Sequence, residues 1–302
     1  MTFTQLQIFA LVAEVGSFTA ASQKLGITQS AVSHAIKQLE SEWGLSLLNR
    51  GAPFVEVTAA GRHLLLRVRE LLGVEEAIKQ ELSAIKGLNE GALRIGSFGV
   101  TSSLVLLPKV LERFSAAYPR IDLVIEEGTD DEVAQWILER RVDIGFLNVP
   151  DERFDTTLLA EDQFYALVPA SHPIAKQNTV SLADLCTIPF VMSLAGNRNL
   201  FEGFFRAAGL TPQVKHRCGQ MVTMIQMVEY GACALAAELS VPDQLMELCP
   251  GAVKRPLSPA IHRSVGLAVP TNKHVSPAVQ AFIETAIETL RPTRKARSRH
   301  FP

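Results

Sequence analysis

Long apolar runs are missing from this chain of 302 residues. None approaches the roughly 18 uninterrupted apolar residues that a helix needs to cross a bilayer, which excludes the helical membrane-spanning classes. The opening stretch "MTFTQLQIFALVAEVGSF" lacks a basic n-region and carries Glu14 where a secretory leader is apolar. It therefore predicts no signal peptide and a cytoplasmic protein. Cysteine is scarce: Cys186, Cys218, Cys233 and Cys249 form no CxxC pair, and no histidine stands near them at metal-ligand spacing. That pattern excludes a disulfide scaffold, predicts reduced thiols and gives no reason to expect a metal or cofactor. The thiols are either buried small hydrophobes or, as an alternative, redox sensors acting through Cys218 or Cys233. An excess of either charge is lacking as well: at a formal net charge of −2, any contact with nucleic acid has to be local. No GxSxG, HExxH, glycine-rich dinucleotide fingerprint or P-loop occurs, and the seven histidines are dispersed, so no enzyme is expected.

What is present is a globular composition, 47% hydrophobic and 20% charged, on a chain long enough for two or three domains. The pattern divides it in three. Residues 1–58 read as short helices, 59–88 as one long charged amphipathic helix, and everything after "GLNEG" as alternating strands and helices. In the long helix, Leu64, Val68, Leu71, Glu75, Ile78, Leu82 and Ile85 step by four and three, a heptad seam broken at Glu75. Such a seam seeks a partner helix or the protein's own body. Beyond it, strands at 93–96, 121–126 and 142–147 alternate with helices at 104–118 and 131–140, which predicts parallel strands with helical crossovers. A second α/β run follows, and a late strand "SVGLAVP" with a helix at 277–290 suggests that the chain returns to its first lobe, leaving a cleft between two lobes. The tail "RPTRKARSRH" is basic and without apolar periodicity.

Near the amino end, "FTAASQKLGITQSAVSHAI" places apolar residues at Ala21, Leu25, Ile27, Val32 and Ile36, with Gly26 in a tight turn. This is the pattern of a helix-turn-helix, whose second helix enters the DNA major groove. Thr28 is positioned to cap that helix. Gln29, Ser30, Ser33, His34 and Lys37 then fall on its outer face. Bases and acids balance over residues 1–62, so no basic patch supports the motif.

The motif resembles the LysR-type transcriptional regulators, and the resemblance spans the chain. It is carried by "LQIFALVAEVGSFTAASQKLGITQSAVSHAIKQLESEWGLSLLNR", "VTAAGRHLL", "LRIGSFG", "LLPKVLERFSAAYP", "VDIGF", "ALVPASHP" and "VEYGACALAAE", in the family's order. The resemblance implies a winged helix-turn-helix over 1–58, a dimerising linker helix over 59–88 and a two-lobed effector-binding domain over 89–302, similar to periplasmic binding proteins. Its first lobe would take about 91–161 and 268–290, its second about 162–267, with 291–302 as the basic tail. It implies double-stranded operator DNA and a small-molecule effector as partners, a homodimer usually assembled into a tetramer, and RNA polymerase as a further candidate partner. DNA-contact positions that match are Thr28, Gln29, Ser30, Ser33, His34 and Lys37, with Arg50 and Thr58 beside the wing. Relatives usually have Pro where Ser30 stands and often Arg where His34 stands; "GAPFVEV" replaces a commonly basic wing.

For the cleft, the loop "SFGVTSS" follows a strand and opens a helix, so its hydroxyls and N–H groups can hold an anion. The positions expected to line it are Ser97, Phe98, Thr101, Ser102, Thr129 and Asn148 from the first lobe. Ser193, Asn197, Phe201 and Met221 are expected from the second.

Overall fold

A computed structural model describes residues 1–49, 55–85, 90–194, 198–271 and 275–290. Arg50, Asn197 and the basic tail, all singled out by sequence, lie outside the described residues. The amino-terminal module consists of α1 (Phe3–Val15), α2 (Phe18–Leu25), α3 (Gln29–Trp43) and a two-strand wing, β1 (Leu48–Asn49) with β2 (Glu56–Val57). Each helix starts on a hydroxyl: Thr2, Ser17 and Thr28 accept from Gln5, Ala20 and Ala31 N–H, respectively. Each ends on a left-handed glycine, Gly16, Gly26 or Gly44, at φ of 64 to 65°. Leu6, Phe9, Val12, Ala21, Val32, Ile36, Leu39 and Leu47 fill the space between the helices. The Glu40 carboxylate accepts from Leu47 and Leu48 N–H at 2.8 and 3.2 Å, which fixes the wing to the end of α3.

The next helix, α4 (Ala59–Ile85), serves three surroundings. Leu65 and Val68 close the amino-terminal core. A second face grips the body: Arg69 bonds the Glu139 carboxylate at 3.2 Å, Gln80 donates to Ala92 O at 2.8 Å, and Ser83 accepts from Glu90 N–H at 3.0 Å. The third face leaves Leu71, Val74, Ile78, Leu82 and Ile85 exposed, at helical spacing. The expected seam is thus divided: Leu64 and Val68 pack within the module, whereas Leu71 onward stays open. Glu75 pairs with Lys79 at 2.9 Å, and neighbouring Val74 fills its turn in the stripe.

The body runs β3 (Glu90–Phe98), a π-helical turn (Thr101–Leu106), α5 (Leu107–Ala117), β4 (Arg120–Gly128), α6 (Asp130–Leu138), β5 (Ile144–Val149) and β6 (Phe154–Pro169). It continues with α7 (Leu182–Leu185), β7 (Phe190–Ser193), α8 (Arg198–Ala207), β8 (Val214–Cys218), α9 (Met221–Glu229), β9 (Ala234–Ala237), α10 (Asp243–Met246), β10 (Ala252–Pro256), β11 (His262–Pro270) and α11 (Pro277–Leu290). β4, β3 and β5 are parallel, as the alternation of strand and helix requires. β11 inserts antiparallel between β5 and β6. The 16-residue β6 belongs to both lobes: its first part pairs with β11, its second with β9 and β10.

Three cores result among the described residues of the body. One draws on Leu93, Ile95, Phe114, Ile144 and Phe146 together with Val265, Leu267 and Phe282 of β11 and α11, so the end of the described chain packs on its first lobe. In the second lobe, Phe164, Phe190, Phe201, Phe205, Leu235 and Leu257 form one core, and Leu167, Val191, Met224, Ile225 and Val228 form another. Gly96 and Gly145 allow α6 to lie close on β3 and β5, since an added Cβ would come within 2.7 and 2.6 Å of Val133.

Candidate nucleic-acid interface and interlobe cleft

α3 is two-faced. Val32, Ile36 and Leu39 are fully buried, while Thr28, Gln29, Ser30, His34 and Lys37 are exposed and Ser33 is half-buried. Thr28 Oγ1 accepts from Ala31 N–H at 3.2 Å and lies 2.9 Å from Ser30 Oγ, so both hydroxyls stand at the helix start. The first turn carries no acidic residue, which leaves the positive end of the helix uncompensated beside the outward N–H groups of Gln29 and Ser30. Gln38, by contrast, turns to α1 and accepts from Gln5 Nε2 at 3.2 Å. Thr58 caps α4 through Gly61 N–H and donates to Ser46 O at 2.7 Å; its hydroxyl is committed inside the module.

At the junction of the lobes, Arg263 on β11 stands directly opposite Asp162 on β6. Its Nε and Nη2 donate to Asp162 Oδ2 at 2.9 and 2.7 Å, and both side chains are almost wholly buried. Nη2 also donates to Thr101 Oγ1 at 2.7 Å and to Ser240 Oγ at 3.2 Å, and those two hydroxyls are 2.7 Å apart. The guanidinium lies over the Phe98 and Phe164 rings, 5.9 and 5.5 Å from their centroids. Burial pulls Arg263 below the usual arginine value, and Asp162 opposes that shift. Next to it, burial raises the Asp130 carboxyl, opposed by hydrogen bonds from Asn148; the Asn148 N–H reaches Asp130 Oδ1 at 2.9 Å.

Of the positions expected to line the cleft, Thr101 and Phe98 contact Arg263 at this junction, and Asn148 contacts Asp130. Others have local duties. Ser102 Oγ donates to Phe98 O, accepts from Phe98 N–H and lies 2.9 Å from Ser97 Oγ, which locks the strand-to-helix turn. Thr129 caps α6 in a reciprocal pair with Glu132. Phe201 is buried against Phe164 in the second core. Ser193 is buried at the end of β7, and Met221 is half-buried at the start of α9.

Arg263, Asp162 and Ser240 are not among the positions expected from sequence. The available signal is charge at the mouth of an apolar run: "HRSVGLAVP" carries Arg263, and "AEDQFYALVP" carries Glu161 and Asp162.

Among the thiols, burial raises Cys218 and pushes Cys233 up to about 12. Cys218 pairs with Ser193 and Cys233 with Phe190, so they flank β7 on opposite sides and three positions apart. Two interstrand steps alone separate them by about 10 Å, beyond the reach of a disulfide. No helix among the described residues is long and apolar enough to cross a membrane, and no three of their His, Cys, Asp and Glu side chains gather in a group that could hold a metal ion.

Comparison with known proteins agrees with this layout. Residues 3–62 match the model for the bacterial regulatory helix-turn-helix protein, lysR family, and residues 86–291 match the LysR substrate binding domain. The chain is 37% identical to the uncharacterized HTH-type transcriptional regulator YvbU of Bacillus subtilis over 290 residues, covering 95% of this chain and 98% of that one. Its fold matches a full-length OxyR variant of Pseudomonas aeruginosa at a TM-score of 0.74 and 19% identity, over 95% of both chains. It also matches full-length CbnR complexed with its target DNA, at 0.61 and 22% identity, over 96% of this chain and 100% of that one. With a helix-turn-helix at one end and a LysR substrate-binding domain over most of its length, the chain belongs to the LysR family of transcriptional regulators.

Proposed function

We propose that α3 enters the major groove of operator DNA and that a small molecule held between the lobes alters operator binding or DNA bending. The observation that carries the reading is the outward face of Thr28, Gln29, Ser30, His34 and Lys37 on a helix whose other side is fully buried. Gln and His offer donors and acceptors to base edges, while Lys37 and the free helix start suit phosphates. The likeness to CbnR, a protein solved with its target DNA, supports DNA as the partner. Arg50 extends the proposed contact beside the wing, whereas the Thr58 hydroxyl serves by holding the start of α4 against the module.

In the cleft, Thr101 of the first lobe and Ser240 of the second share one guanidinium, so a ligand preferring one lobe separation shifts the equilibrium between arrangements. The proposed lining adds Phe98 and Asn148 from the first lobe, with Ser193, Asn197 and Met221 as the positions carried over for the second; Ser97, Ser102, Thr129 and Phe201 act behind it, in turn, cap and core. The grip of Arg69, Gln80 and Ser83 on the first lobe transmits the shift to α4. The open stripe on α4 takes the same stripe of a second copy, and further pairing gives a tetramer. RNA polymerase is the machinery whose access to the promoter then changes. A thiol mechanism through Cys218 or Cys233 has weaker support, because both thiols are held protonated by burial.

Selection of bound duplexes from a random library by the full-length protein tests the reading. Enrichment of two half-sites about one or two helical turns apart is expected; no enrichment over input would overturn it.

A further inference from the structure

Among its described neighbours, Arg263 leaves half of its fork unused. A guanidinium has five N–H donors, and the three on Nε and Nη2 are satisfied by Asp162, Thr101 and Ser240. Nη1 is buried and has no partner among the described residues, in a side chain only 4% exposed. Asn148 Oδ1 is in the same condition. Buried donors and acceptors are rarely left unmade.

The two orphans share one face of the sheet. Arg263 opposes Asp162, Val265 opposes Asn148, and positions 263 and 265 point to the same side of β11. Asn148 is therefore the diagonal neighbour of Arg263, within reach of a long side chain. One orphan needs an acceptor and the other a donor.

Charge narrows the choice further. Arg263 and Asp162 cancel, and the remaining ionisable group that Arg263 senses is Asp130, an acid. A simple dicarboxylate would add negative charge where no free positive charge awaits it. A ligand of zero net charge carrying a carbonyl or carboxylate oxygen and a nitrogen donor would satisfy both groups.

Resting on the cleft reading above, we infer that the effector is a small zwitterion or amide, of the amino-acid class, whose oxygen accepts from Arg263 Nη1 and whose nitrogen donates to Asn148 Oδ1. Phe98 and Phe164 flank the same guanidinium and form its apolar surround.

The test uses the full-length protein and two panels read by thermal shift and titration calorimetry. The first holds the protein amino acids with acetamide and N-methylacetamide; the second holds succinate, pyruvate and benzoate, which lack a nitrogen donor. A first-panel compound should raise the melting temperature, and no second-panel compound should. Asn148→Leu and Arg263→Lys should each weaken that compound by about tenfold or more, with cooperative unfolding retained as the check on folding. Arg263→Lys keeps a charge for Asp162 but loses the fork; Asn148→Leu removes no charge and decides the matter if the first variant fails to fold. Hits confined to the second panel, no hit in either, or an unchanged affinity in Asn148→Leu would overturn the ligand class. A first-panel ligand that binds but never changes operator occupancy would support the class and overturn the regulatory reading.

Discussion

Thr101 Oγ1 and Ser240 Oγ lie 2.7 Å apart, one hydroxyl from each lobe, and Arg263 Nη2 donates to both. Their link spans 139 residues of sequence. It makes the separation of the lobes a property of one buried cluster. Thr101→Val keeps the shape and removes the hydroxyl, leaving a guanidinium N–H and Ser240 without that partner. Chemical denaturation should show a loss of about 1–3 kcal/mol. Ser240→Ala should cost less in the Thr101→Val background than alone, because the two share the bond; strict additivity would show that the link carries no energy.

The Asp162 carboxylate is the salt-bridge partner of Arg263. Asp162→Ala strands a buried cation and should destabilise the protein by about 3–5 kcal/mol. Replacing both, as in Asp162→Leu with Arg263→Met, should recover most of that loss while abolishing the effector response. Equal unfolding midpoints for wild type and Asp162→Ala would rule the ion pair out as a structural element.

Asp130 gives a pH dependence with a definite sign. Burial raises its folded carboxyl above the ordinary range, so the folded state holds a proton that the unfolded chain has already released. In the window between the two values the folded form binds more protons, and this group's contribution makes stability fall as pH rises. Asp130→Asn keeps an acceptor for the Asn148 N–H and removes the charge. It should raise the melting temperature at neutral pH, and the advantage should shrink as pH drops through the raised value toward about 4. A constant difference across that range would exclude Asp130 as the source.

On α4, Ile78 is 52% exposed in the middle of the apolar stripe. Ile78→Glu places a carboxylate where a partner helix would bury it. Sedimentation should then report the mass of a single chain, with far-ultraviolet circular dichroism unchanged. A variant that stays dimeric would move the interface elsewhere.

Much of this architecture is legible in the sequence because it rests on local chemistry. Hydroxyl caps at Thr2, Ser17 and Thr28 and the glycine stops at Gly16, Gly26 and Gly44 are readable one helix at a time. The alternation that gives β3, β4 and β5 is equally local, and so is the two-faced pattern of α3. The interlobe cluster is not legible, since it joins residues 101, 162, 240 and 263, whose proximity exists only after β6 and β11 pair. For the same reason Ser97, Ser102 and Thr129 look like free ligands by position, although their hydroxyls are engaged in turn and cap. The heptad seam misplaces Glu75, because a step of three from Leu71 to Val74 satisfies the same face.

Base reading by the open face of α3 is measured by the ratio of operator to random-DNA affinity. Gln29→Ala and His34→Ala should each lower that ratio by about tenfold, the worth of a lost base contact. Lys37→Ala should weaken both DNAs alike and reduce the salt slope by about one. Equal losses on operator and random duplex for all three variants would show that this face of α3 does not read bases.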